Sequence, residues 1–107
     1  MLIHTVYFWL SAEAREEHGE EFPEALRDLL RIDRIRAGFL GSPASTERRL
    51  VTDHSFDFSI HLHFDSQEDH DAYQDDPEHH RFVERCRAWW EKVVVYDSEG
   101  LGETSGS

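Results

Sequence analysis

The chain has 107 residues, and its 11 Lys and Arg against 23 Asp and Glu leave a formal charge of −12. That length suits one compact domain, which hides roughly two thirds of the surface of its unfolded chain and needs no disulfide or structural metal to fold. The single cysteine, Cys86, excludes an intramolecular disulfide framework and a cysteine-based zinc site, and the acidic balance argues against nucleic acid or an anionic membrane as partner, since both are bound through Lys and Arg.

Leu2 to Leu10, rich in β-branched and aromatic residues, reads as a strand with His4, Val6, Phe8 and Leu10 on one face and Thr5, Tyr7 and Trp9 on the other. Its apolar part, Val6 to Leu10, follows no basic segment and leads to no cleavage site, so neither a secretory signal nor a membrane span is expected and the chain reads as cytoplasmic. Ser11 is placed to cap a helix, and Phe22, Ala25, Leu26, Leu29 and Leu30 recur at helical spacing, with Gly19 and Pro23 shifting the regular part toward Phe22. A second strand is predicted over Ile35 to Leu40, weakened by Gly38. The stretch from Gly41 to Ser55 is a long loop, of the kind that is functional, mobile or packed on a partner.

Phe56 to Phe64 alternates Phe56, Phe58, Ile60, Leu62 and Phe64 with Asp57, Ser59, His61 and His63, the pattern of a strand with one apolar face. Ser66 to Asp69 forms a capping box for a short helix carrying His70, Ala72 and Tyr73, and Asp76-Pro77 starts a second one through Phe82, Val83, Cys86, Trp89 and Trp90. Val93 to Tyr96 completes the strands. Asp97 to Ser107 reads as a frayed end, giving a domain over 1–97 and a flexible tail over 98–107. The order β, α, β, β, broken α, β is that of a ferredoxin-like α+β fold: a four-stranded antiparallel sheet with helices on one face. The other face, with Tyr7 and Trp9, is too apolar to stay wet and marks an interface.

Several segments carry a resemblance to the stress-responsive A/B barrel domain family. They are His4-Thr5-Val6-Tyr7-Phe8, Phe56-Asp57, Phe64-Asp65-Ser66, Ala72-Tyr73-Gln74-Asp75-Asp76-Pro77-Glu78-His79, Trp90-Glu91-Lys92-Val93 and Val95-Tyr96-Asp97. The resemblance runs nearly end to end and implies a homodimeric α+β barrel. Some plant members of that family resemble cofactor-free polyketide cyclases, and their motifs match here at Tyr73, His79 and His4. They do not match at Phe58, where a His would be expected, at Asp76, where the first His of a His-Pro-x-His would stand, or in residues 12 to 31, which contain no Tyr.

The candidate catalytic residues are therefore His79, Tyr73 and His4: an imidazole titrating near neutrality exchanges protons, and a nearby phenol holds or polarises a carbonyl. Phe8, Phe22, Phe58 and Trp89 are expected to line a mostly apolar ligand pocket between helices and sheet. The alternative for His79 and His4 is a set of core histidines with hydrogen-bond partners. His61-x-His63 and His79-His80 offer two imidazoles each, fewer than the four donors of a closed zinc site, so no metal and no cofactor are expected. His61 and His63, with Asp57 and Ser59, are assigned to the polar side of the inter-sheet space or the dimer rim. Cys86 reads as a small buried hydrophobe. Three roles stay open: binding of a small hydrophobic or aromatic molecule, a cofactor-free cyclase, lyase or isomerase acting on a polyketide-like or aromatic substrate with His79 as base, and a purely structural stress protein.

Overall fold

The computed structural model describes residues 1–102. Its elements are β1 (Leu2–Leu10), α1 (Ala12–His18), α2 (Glu21–Leu29), β2 (Ala37–Gly41), β3 (Phe58–Phe64), α3 (Gln67–Asp75), α4 (Pro77–Cys86), a 3-10 turn (Arg87–Trp89) and β4 (Trp90–Glu99). The strands form one antiparallel sheet in the order β2-β3-β1-β4, with the four helices on one face. The ferredoxin-like arrangement expected from the element order is present.

The barrel is not. The sheet stays open, its edges formed by β2 and β4. The reason is strand number: a barrel just wide enough to fill with side chains takes about eight strands, and four twisted strands cannot bring their edges together.

Local chemistry explains most element ends. Ser11 Oγ accepts from the Ala14 amide at 3.1 Å and starts α1. At Gly19 a Cβ would collide with the Arg15 carbonyl oxygen, so the chain turns tightly there. The single helix expected after Ser11 is thereby divided in two, and Pro23 sits in the first turn of α2, where its missing N–H costs nothing. Ser66 Oγ caps α3 through the Asp69 amide, and Asp76 caps α4 through the Glu78 amide with Pro77 at the first helical position. β2 begins at Ala37 rather than Ile35, and Gly38 is what lets it lie close to α2, since a Cβ there would meet the Leu30 side chain at 2.8 Å. β4 is longer than Val93 to Tyr96. Trp90 already pairs with Leu10, and Glu99 still pairs with Leu2, so Ser98 and Glu99 of the expected tail are strand. Residues 103–107 of that tail lie outside the described residues.

Alternation along β1 turns His4, Val6, Phe8 and Leu10 under the helices, and β3 adds Ile60, Leu62 and Phe64. The helices return Phe22, Ala25, Leu26 and Leu29 from α2, Tyr73 from α3, and Phe82 and Cys86 from α4. The opposite face carries Tyr7, Trp9, His61 and Tyr96 with Phe39 and Phe56, and Lys92 Nζ stands 4.6 Å from the Trp9 ring centroid. His61 and His63 lie on this open face, as expected.

Asp57 does something other than line that face. Its carboxylate accepts the Leu10 amide at 2.7 Å and Arg15 Nε at 3.0 Å, while Arg15 Nη2 donates to the Leu10 carbonyl at 3.0 Å. One side chain thus ties the end of β1 to the start of β3 and to α1. Asp57→Ala should lower unfolding free energy by about 1–3 kcal/mol, the cost of stranding part-buried polar partners. Asp65→Ala, which removes only an exposed pair with Arg36, should change it by about 0.5 kcal/mol or less. Equal urea midpoints for the two variants would show that Asp57 is not such a tie.

Candidate functional site

The site is built at the end of β1 where His4 sits. Strand alternation points His4 inward, and antiparallel register sets Asp97 of β4 directly opposite it, on the same face. His4 Nδ1 and Asp97 Oδ1 are 2.6 Å apart, the imidazole side chain 6% exposed and the carboxylate 45%. The carboxylate holds Nδ1–H toward itself, which fixes the ring's orientation and leaves the other nitrogen as acceptor.

Helix α3 covers this pair from above. His70 and Tyr73 are three residues apart and share a helix face, and both rings rest on Phe64, at 5.5 and 5.2 Å between centroids. His70 lies 4.9 Å from His4, and Tyr73 lies edge-on to His4 at 6.0 Å. Asp76 ends α3 and caps α4, so the chain reverses within one residue and returns His79, in the first turn of α4, to 4.9 Å from the Tyr73 ring. The three expected catalytic residues, His4, Tyr73 and His79, therefore meet in one cluster.

Burial sets the protonation states. It lowers the affinity of His79 for a proton, reinforced by His80 and His4 and opposed by Asp76. It does the same to His4 against the opposing pull of Asp97. Tyr73, almost fully buried, is pushed above the usual phenol range. At neutral pH His4 and His79 are neutral imidazoles and Tyr73 is a protonated phenol. The His79 Nδ1 and His70 Nε2 atoms are buried without a hydrogen-bond partner among the described residues.

Phe8, Phe22, Phe58 and Trp89 form a second group farther along β1. Phe22 is its centre, with ring centroids 5.1 Å from Phe8, 5.7 Å from Phe58, 6.0 Å from Phe82 and 6.2 Å from Trp89. These rings touch one another, so a ligand entering between helices and sheet displaces ring contacts. Trp89 belongs to the 3-10 turn rather than to α4, and His18 stacks on it at 4.1 Å. Cys86 is buried, and burial pushes its thiol up to about 11, which makes it an inert part of the core.

Two members of the cluster were not singled out by the sequence. His70 could have been found by its i, i+3 relation to Tyr73. Asp97 could not, because its role depends on the register of β4 against β1.

The family profile described as the stress responsive A/B barrel domain matches residues 2–99. No curated protein sequence matches the chain. Among solved structures, the chain is similar to the Arabidopsis thaliana protein At3g17210, with a TM-score of 0.78 and 20% identity over 98% of this chain and 100% of that one. It is similar to a family protein with a ferredoxin-like fold from Mesorhizobium loti, with a TM-score of 0.74 and 23% identity over 94% and 97% of the two chains. A dimeric ferredoxin-like protein of unknown function from Thermobifida fusca gives 0.74 and 18% over 91% and 88%. At these identities the likeness concerns the fold. Among the described residues no helix is long and apolar enough to cross a membrane.

Proposed function

Because the chain belongs to the stress-responsive A/B barrel domain family, and a fold does not fix a reaction, we propose its function from the side chains gathered at His4. The site binds a small hydrophobic or aromatic molecule bearing a carbonyl oxygen, between the helices and the sheet, and moves a proton on it. The observation that carries this reading is a buried imidazole, His4, held by the half-exposed carboxylate of Asp97, with a second imidazole in the same cluster, His79, whose Nδ1 has no partner among the described residues.

His79 has the properties of a general base. It is neutral at physiological pH because burial disfavours its charged form, and an Nδ1 lone pair with no partner among the described residues can take a substrate proton. Tyr73 remains protonated and serves as hydrogen-bond donor to a carbonyl whose oxygen gains charge as that proton leaves. His4, oriented by Asp97, faces Tyr73 from the sheet side and holds the substrate oxygen or the phenol in place. Phe8, Phe22, Phe58 and Trp89 supply apolar contact for the rest of the molecule.

A second copy of the chain occupies the open face. Phe39 and Tyr96 on that face are 60% and 61% exposed, and Leu50 and Val51 of the long loop are also exposed, a grouping of apolar side chains of the kind that marks an interface. The similar Thermobifida fusca protein is described as dimeric.

The test is a screen of planar aromatic carbonyl compounds against the wild type, by thermal shift and by NMR exchange of the protons next to the carbonyl. For a compound that binds, His79→Ala should reduce proton exchange by roughly 100-fold or more while the protein stays folded, and Tyr73→Phe should weaken binding. If His79→Ala instead lowers stability by about 1–3 kcal/mol and leaves binding and exchange unchanged, His79 is a core histidine and the acid–base reading falls.

A further inference from the structure

We propose that His4, His70 and Asp97 form a binding site for a divalent transition-metal ion of the zinc type. One donor atom from each of the three side chains lies within 4.8 Å of the other two. Two imidazoles and one carboxylate are the donor set that suits zinc and its first-row neighbours, whereas calcium and magnesium prefer oxygen alone.

Four further features favour an ion here. His70 Nδ1 stands 3.0 Å from the Asp71 carboxylate, which holds that nitrogen protonated and leaves Nε2 as a lone pair. Nε2 is buried and has no partner among the described residues. A metal-ligating histidine is commonly set up in this way, with a carboxylate behind the ring fixing its tautomer and raising its basicity. The third donor provides the entrance: Asp97 is 45% exposed while His4 is enclosed, so an ion reaches the imidazoles from the solvent side and keeps a coordination position for water. The chain's charge of −12 draws cations toward it.

Without metal, His4 Nδ1 and Asp97 Oδ1 share a proton at 2.6 Å. Two ligands of one tetrahedral zinc with bonds of about 2.0–2.1 Å stand roughly 3.3 Å apart, so the ion replaces that proton and the half-exposed Asp97 side chain rotates outward to admit it. The displaced proton moves to Nε2 of the same imidazole, so His4 ligates as a neutral ring. The site does not depend on the acid–base reading of His79, which is not among its ligands.

The experiment uses the full, untagged chain after dialysis against a chelator. Zinc ion is titrated by calorimetry, and cobalt(II) is added separately with its visible absorption recorded. The expected result is one ion per chain with micromolar or tighter affinity, a higher melting temperature with zinc, and the absorption bands of tetrahedral cobalt. His70→Gln and Asp97→Asn should each weaken zinc roughly tenfold or more, and Asp71→Asn should do so through the ring it holds. Asp97→Asn alters a half-exposed side chain, so it keeps the test informative if His70→Gln does not fold. The His61→Gln, His63→Gln double variant should bind as the wild type does. Absence of saturable binding, binding that survives both His70→Gln and Asp97→Asn, or binding lost in the His61, His63 double variant would each overturn the proposal. The zinc titration reads the metal alone and the His79 experiment reads an organic ligand, so the failure of one is distinguishable from the failure of the other.

Discussion

Phe22→Ala is expected to destabilise the fold by about 3–5 kcal/mol, the range for removing a fully buried aromatic ring. Phe22 contributes its whole side chain to the interior and touches rings from β1, β3, α4 and the 3-10 turn: Phe8, Phe58, Phe82 and Trp89. Few positions join so many elements, so the cavity left behind has no single neighbour able to fill it. For a domain of about 100 residues such a loss lowers the melting temperature by roughly 12 °C or more. Phe39→Ala is the comparison. Its ring is 60% exposed on the open face, so in the isolated chain it should cost far less. A Phe22→Ala melt within a few degrees of the wild type would mean that the aromatic cluster is loosely packed and already able to make room for a ligand.

Sedimentation at micromolar concentration should give twice the chain mass of 12.6 kDa if, as proposed, the aromatic residues of the open face are covered by a second copy. Phe39 on β2 and Tyr96 on β4 lie on opposite edge strands of that face, and both are exposed in the single chain. Phe39→Glu and Tyr96→Glu should therefore leave each chain folded and disrupt only association. An aromatic anchor that fills a pocket on the partner contributes about 2 kcal/mol or more, so each change should raise the dissociation constant by roughly 30-fold or more. Two chains of −12 repel each other, and added salt should strengthen the pairing by screening that repulsion. The melting temperature should also rise with protein concentration, as it does when folding and association are coupled. A wild type that sediments as a 12.6 kDa species at all these concentrations, or glutamate variants that pair as well as the wild type, would remove the second copy from the proposed function.

The elements were legible in the sequence where one local signal acts alone. The alternation of β3 from Phe58 onward and the face of β1 that carries His4, Val6, Phe8 and Leu10 follow the sequence pattern, because a strand's period of two needs only one buried side to become visible. Phe56, expected on the same apolar face, instead precedes β3 and packs beside Tyr7 on the open face. The caps at Ser11, Ser66 and Asp76 were equally plain, since each satisfies backbone amides within three residues. Ends decided by a neighbour were not. β4 was cut short at both ends because its extension from Trp90 to Glu99 comes from pairing along the whole length of β1, and its own residues are a mixture of polar and apolar.

The sequence by itself determined the element order, the ferredoxin-like sheet and the inward turn of His4. These follow from hydrophobic period and from capping chemistry acting over a few residues. Only the tertiary structure decided that the sheet stays open, that Asp57 ties β1 to α1 instead of lining a polar face, and that Asp97 is the partner of His4 while His70 stands over the pair. Closure depends on how many strands can curve together, and a hydrogen bond between residues 93 positions apart depends on strand register. Neither leaves a periodic mark on the chain, because the contacts that decide them form only after the helices have packed against the sheet.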